Sequence, residues 1–192
     1  DLATVVGWPT RAVMALATRC RLDGFTAGSR QLQASLDGLS RRSNLHVKYR
    51  QTVEAEAVYG CSFATVGMAD AGARIDMHDA EHAAARWDEA MGRIAYGMTI
   101  TGWRDGNPTS VNLYTEDCRV SLWNDGRSFW EWVAQPYAMG RPTMEALVYR
   151  PTQSKPFGQS RITRAVMSIT DSAVRESLRT EISAEFFTSP QK

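Results

Sequence analysis

Apolar residues recur at one spacing in the first sixty positions and at another in the next ninety. Val13, Leu16, Ala17 and Cys20 stand at i, i+3, i+4 and i+7 behind Pro9, and Asp23-Gly24 ends that helical run. Leu32, Leu36 and Leu39 predict a second helix closing near Ser43-Asn44, and Leu45, Tyr49, Val53 and Ala57 a third that stops at Gly60. Beyond it the period shortens to two. Ile94, Tyr96, Met98 and Ile100 alternate with smaller residues across 93–103, which predicts a half-buried strand. Asp105-Gly106 and Asn124-Asp125-Gly126 are hairpin turns flanked by the alternating pairs Val111/Leu113, Val120/Leu122 and Trp130/Trp132. Positions 60–68 add a strand, 74–78 a short one, and 83–87 lead into a hairpin through 89–92. The expectation is one antiparallel sheet of about five or six strands.

Helical spacing returns after a Pro/Gly-rich approach. Ile162, Ala165, Val166 and Ile169 make one apolar stripe with Ser160 as its N-cap, while Arg161, Arg164 and Ser168 take the other side. Val174, Leu178, Ile182 and Phe186 make a second stripe that points roughly 170° away from the first. Thr170-Asp171, two good capping residues, sit at the change of phase, so the pattern predicts a break there and two helices. Glu181 and Glu185 fall inside or beside the second stripe, with Arg175 at its other edge. Charges set among apolar positions fit a helix that faces another subunit, where they pair across the contact. They also fit a surface helix whose charged side chains reach past the stripe into water. The expected fold is α+β: N-terminal helices over 1–60, a central, mostly antiparallel sheet over 61–150, and a C-terminal helical pair over 151–192 that covers it. The whole of 1–192 is expected to form a single domain.

Charge adds an asymmetry rather than a field. The 192 residues carry a formal net charge of +1. Residues 11–50 hold eight Lys/Arg against two Asp, and residues 51–150 hold eight against fourteen acids, or +6 and −6. The two stretches can complement each other within a molecule or between neighbours, or stand as two solvated faces. Arg41, Arg42, Lys48 and Arg50 cluster around one helix junction, but without interleaved aromatics or a nucleic-acid motif they read as solvated surface. Cys20, Cys61 and Cys118 are an odd, widely spaced set and are expected to be reduced. No apolar run approaches the ~18 residues of a membrane span, and no membrane segment or secretory leader is expected.

Two patterns raise chemistry. His78-Asp79-Ala80-Glu81-His82 satisfies the H-x-x-E-H arrangement of inverted zinc peptidases, in which two imidazoles four residues apart on one helix face hold zinc and the glutamate acts as base. Here the pentapeptide follows a predicted strand. If it is extended, His78 and His82 lie about 13 Å apart and cannot share a metal, and two loop histidines in water are the plain alternative. Trp87, Trp103, Trp123, Trp130 and Trp132 concentrate in the sheet region, which suits an aromatic-faced ligand module but equally an ordinary core or a subunit interface. No nucleophile elbow, phosphate loop or dinucleotide fingerprint is present, so neither an enzymatic activity nor a cofactor is expected.

Several stretches carry a resemblance. Phe157-Gly158-Gln159-Ser160-Arg161-Ile162, Thr170-Asp171-Ser172-Ala173-Val174-Arg175, Ala184-Glu185-Phe186-Phe187 and Ser189-Pro190-Gln191 resemble the portal proteins, or head-to-tail connectors, of long-tailed phages, particularly those infecting actinobacteria. Looser similarity runs through Trp8-Pro9, Leu22-Asp23-Gly24-Phe25, Tyr59-Gly60-Cys61-Ser62-Phe63 and Leu147-Val148-Tyr149-Arg150-Pro151. The resemblance implies the wing region of a longer chain, leading towards stem helices beyond Lys192, and the start at Asp1 fits an excised piece. It also implies a structural subunit of a homo-oligomeric, commonly dodecameric, ring at a capsid vertex. Double-stranded DNA would be packaged and ejected through that ring, with the terminase motor, capsid and neck or adaptor proteins as partners. Localisation would be the virion, and the host cytoplasm during assembly. Arg161, Arg164, Arg175, Arg179, Glu181 and Glu185 are the candidate intersubunit contacts. Made alone, the piece is expected to be a monomer or a weak oligomer.

Overall fold

The computed structural model describes residues 7–69, 72–126 and 130–188; the Ser189-Pro190-Gln191 match and Lys192 lie outside them. Three helices come first: α1 (Trp8–Ala17), α2 (Arg30–Arg42) and α3 (Leu45–Tyr59). Pro9 opens α1 where its missing N–H costs nothing, and Ser29 caps α2 by accepting from the Leu32 N–H at 3.2 Å. Asn44, at φ 50°, separates α2 from α3, and Gly60, at φ 94°, ends α3. The boundaries of α2 and α3 follow the sequence expectation; α1 is shorter than expected, closing at Ala17 with its C-cap at Thr18 rather than at Asp23-Gly24, so Cys20 lies outside it and is exposed.

Eight strands follow in the described residues: β1 (Cys61–Ala69), β2 (Gly72–Asp79), β3 (Ala83–Asp88), β4 (Arg93–Arg104), β5 (Asn107–Tyr114), β6 (Cys118–Trp123), β7 (Glu131–Pro136) and β8 (Met144–Val148). They form two antiparallel sheets rather than one, β2-β1-β8 and the meander β3-β4-β5-β6-β7. The α+β class is as expected; the single sheet is corrected. β8 has no turn linking it to β1, and their pairing, Cys61 to Val148 through Thr65 to Met144, spans about eighty residues of chain that local alternation cannot read. The two sheets meet at Phe63, Ala83, Ile94, Tyr114 and Met144, all buried, with Trp87 and Phe157 packed around them. Phe157 stands 5.8 Å from the Phe63 ring and 5.9 Å from the Trp87 ring. On the other side of the three-stranded sheet lies α3, and α1 rests on α3 through Val13 and Ala17. No helix among the described residues is long and apolar enough to cross a membrane.

β4 is a strand as expected, but it turns over. Arg86 pairs with Tyr96 while Trp87 pairs with Ile94, a bulge that inserts one residue and shifts the alternation by one. Ile94 is therefore buried on the core side, and beyond the bulge the buried positions are Gly97 and Thr99. Tyr96, Met98 and Ile100 face away. A Cβ at Gly97 would crowd the Met144 sulfur and stand 3.3 Å from the Ala84 carbonyl oxygen, so a larger residue fits there only if Met144 shifts.

The C-terminal pair is corrected as well: α4 runs unbroken from Arg164 to Thr188. The phase change came from reading Ala165 and Ile169 as buried, whereas both are exposed; Ile162 lies in a bend before the helix, its N–H held by the Ser160 hydroxyl at 3.0 Å. Thr170 does not cap a new helix. Its hydroxyl bonds back to the Val166 carbonyl at 2.8 Å, and that of Ser172 to the Ser168 carbonyl at 2.9 Å, so both stay within the turn. Ile169 is 62% exposed, while Val166, Thr170, Ala173, Val174, Ser177 and Leu178 share one half-buried face. The helix packs on α1 and does not cover a sheet.

Candidate functional site

The direction of α4 is set by a joint built at the end of α3. Gly60 and Gly158 both have positive φ, 94° and 66°, and the chain approaches itself there more closely than side chains permit. A Cβ on Gly60 would stand 2.7 Å from the backbone of Gln159 and Ser160, and one on Gly158 would stand 2.5 Å from the Tyr149 carbonyl oxygen. The Ala57 carbonyl, in the last turn of α3, accepts the Arg161 N–H at 3.0 Å and the Ser160 hydroxyl at 3.4 Å. The Arg161 guanidinium donates to Glu56 Oε2 at 3.1 Å and lies 4.0 Å from the centroid of the Tyr149 ring. Burial raises the Glu56 carboxyl above the usual carboxylate range, and outweighs the lowering by the Arg161 charge and hydrogen bond. Arg161 thus turns inward. Glu56 was missed from sequence, although a glutamate between Val53 and Ala57 on the apolar face of α3 is itself a signal that a cation must meet it.

Beyond the joint, α4 carries the other candidate contacts. Arg164 is exposed in its first turn, Arg175 Nε donates to the Asp171 carbonyl at 3.2 Å, and Arg179 pairs with Glu176 at 2.7 Å. Residues 181–187 are all exposed, Glu181 and Glu185 among them. Phe186 and Phe187 are 77% and 85% exposed. The structure therefore brings five of the six predicted charges onto one helix and assigns the sixth, Arg161, to its base.

A second apolar surface follows from the bulge in β4. Cross-strand partners share a face, so Ile100, Val111, Leu122 and Trp132 line up across β4 to β7, and Met98, Leu113, Val120 and Ala134 form the next row. Both rows lie on the side away from the core, where Tyr96, Leu113 and Trp132 remain exposed. The tryptophans do not form one platform. Trp87 packs in the core, Trp123 Nε1 donates to Glu131 at 3.0 Å, Trp103 meets the His82 ring edge-on at 6.2 Å, and Trp132 sits on the outer side.

The histidine pair is split between a strand and a turn. His78 lies near the end of β2 with Nε2 3.0 Å from the Thr65 hydroxyl, and burial lowers its pKa, so the ring is held neutral. His82 follows the turn, its Nδ1 2.7 Å from Asp79 Oδ1, and the nearby Glu81 carboxylate raises the pKa of the Tyr59 hydroxyl. Asp79, Glu81 and His82 offer ligand atoms within 4.8 Å of one another, but His78 is not in that group. The shared helix face that a peptidase motif requires is absent from this segment.

No protein-family model matches the chain. The portal proteins of Mycobacterium phage D29 and Mycobacterium phage L5 are each 24% identical to it over 205 aligned residues. These alignments span 100% of this chain and 42% of each relative, so the chain covers less than half of their length. The relationship is portal-like and distant, and it runs through the joint and α4 as well as the sheets.

Proposed function

We propose that the chain is a structural, non-enzymatic part of a phage portal protein, corresponding to its wing region. It would work within a longer polypeptide whose copies form a ring at one capsid vertex, with the terminase motor, the capsid and the neck or adaptor proteins as partners. DNA would pass through the channel of that ring. The observation that carries this reading is the end-to-end similarity to two portal proteins. The geometry agrees with it: a packed α+β body holds α4 through the Glu56–Arg161 joint and leaves the distal half of the helix uncovered. Contact between copies would fall on Arg164, Arg175, Arg179, Glu181 and Glu185, with Arg161 fixing the angle at which they are presented.

Antibodies raised against the chain test the assignment. Gold labelling of particles from the source phage or prophage is expected at a single vertex per capsid, where the tail joins. Label spread over the shell, or none on particles that contain DNA, would overturn the reading.

A further inference from the structure

Where the ladder between β1 and β8 ends, a groove holds a cation that no acid meets. The Val66 N–H donates to the Thr143 carbonyl at 2.9 Å, and beyond that bond Gly67, Met68 and Ala69 pair with β2 alone. Among the described residues no strand stands on their other side. A groove of about 420 Å³ lies against this edge, with Val66, Met68 and Met139 as apolar walls and Gln135, Tyr137 and Arg119 as polar ones. Met68 and Met139 are largely exposed, and such flexible side chains suit a surface that receives another chain. Arg119, on β6, is the one charged residue lining the groove among the described residues. It is half-buried, its Nη2 donates to the Gln135 side-chain carbonyl, and its Nε is closed off from water with no acceptor. Gly67 leaves the room for it, since a Cβ there would stand 2.7 Å from Nη1. A guanidinium drawn partly out of water with only a neutral amide as partner is an incomplete arrangement, which a carboxylate would complete.

We propose that this groove binds a short extended peptide segment of another protein, one that carries an Asp or Glu between apolar residues. The acid supplies the missing counter-charge. On a guanidinium the Nε–H and one Nη–H point the same way, so a carboxylate can take both in a two-bond pair. Gln135 is exposed and free to swing aside, and its amide N–H can then donate to the same ligand. The apolar neighbours of the acid would lie against Val66, Met68 and Met139. A peptide fits better than a small free acid because the open edge of β1 offers main-chain groups as well. The N–H of Met68 points to the same side as that of Val66, two residues before it, and so faces the side that β8 no longer fills. The site stands on the geometry of this chain and does not depend on the portal reading.

Two libraries of end-capped pentapeptides test this, alike except that the central residue is glutamate in one and glutamine in the other. Each is passed over the immobilised 192-residue chain, and the retained peptides are counted by mass spectrometry. The glutamate set is expected to be retained about ten-fold better, with Leu, Ile, Val and Met enriched beside the centre. Arg119→Gln should bring the ratio close to one while near-ultraviolet circular dichroism stays unchanged. Met68→Glu alters a residue that is 72% exposed, leaves the packing alone, and should likewise lower retention of the glutamate set through like-charge repulsion. Equal retention of the two sets on the unaltered chain overturns the proposal, as does a glutamate preference that survives both substitutions. Decanoate that displaces the retained peptides at equal concentration would overturn the peptide assignment in favour of a small fatty acid.

Discussion

Gly97 and Met144 occupy the space where the two sheets meet, and a side chain at 97 fits only if the buried Met144 side chain shifts. Met144 is 2% exposed, and a methyl group on Gly97 would crowd its sulfur and lie 3.3 Å from the Ala84 carbonyl oxygen. Gly97→Ala is expected to cost about 1–3 kcal/mol in chemical denaturation, with part of the loss recovered when Met144→Ala is combined with it. Two carboxylates give the pH dependence opposite signs. Burial raises the pKa of Glu56, so stability from its protonated form is full below about pH 4.5 and is lost as pH rises through the raised value. Burial also pushes Asp76 upward, but hydrogen bonds and charge from Lys48 and Arg74 outweigh it and hold the group below its ordinary range. Its contribution is present above about pH 3.8 and disappears as pH falls through the lowered value. Glu56→Gln should therefore flatten the decline of stability above pH 4.5, and Asp76→Asn the decline in acid. Unchanged slopes in urea melts across pH 3–7 would remove both assignments.

At the level of elements, the joint and the helix it holds separate cleanly. Gly158→Ala adds a side chain at φ 66° and 2.5 Å from the Tyr149 carbonyl, a strain of about 1–3 kcal/mol. It should speed proteolytic cleavage between residues 150 and 163 while α4 keeps its helical circular dichroism. Val13 is buried at 4% exposure on the face of α1 that meets α3, so Val13→Ala should cost about 1–3 kcal/mol. Phe186→Ser has almost nothing to lose in the isolated chain and should shift its stability by no more than about 0.5 kcal/mol. A large loss on Phe186→Ser would mean that the distal helix packs on its own body.

For the whole molecule, the arrangement is a body with two uncovered apolar surfaces, the outer side of the five-stranded sheet and the end of α4. They differ in shape, one a sheet face and the other a helix ridge, and neither is sealed by the described residues of this chain. The end of α4 exposes three large apolar side chains, Ile182, Phe186 and Phe187, well short of the area of a stable interface. Sedimentation of the 192-residue chain at micromolar concentration should therefore show a monomer or a weakly associating species. A tight ring from this chain alone would overturn that expectation.

Local pattern was enough for most elements and for the ends of α2 and α3. Helical spacing, the stop at Gly60, the turn at Asp105-Gly106 and the α+β class are properties of neighbouring residues, and the physics that sets them acts within a few positions. What only the tertiary structure decided depends on partners distant in the chain. The pairing of β1 with β8, the reversal of β4 at its bulge, the closure of Glu56 on Arg161 and the continuity of α4 past Thr170 each turn on which surface another segment occupies. A residue's periodicity tells which side it shares with its neighbours, while burial of that side is settled by whether anything comes to cover it.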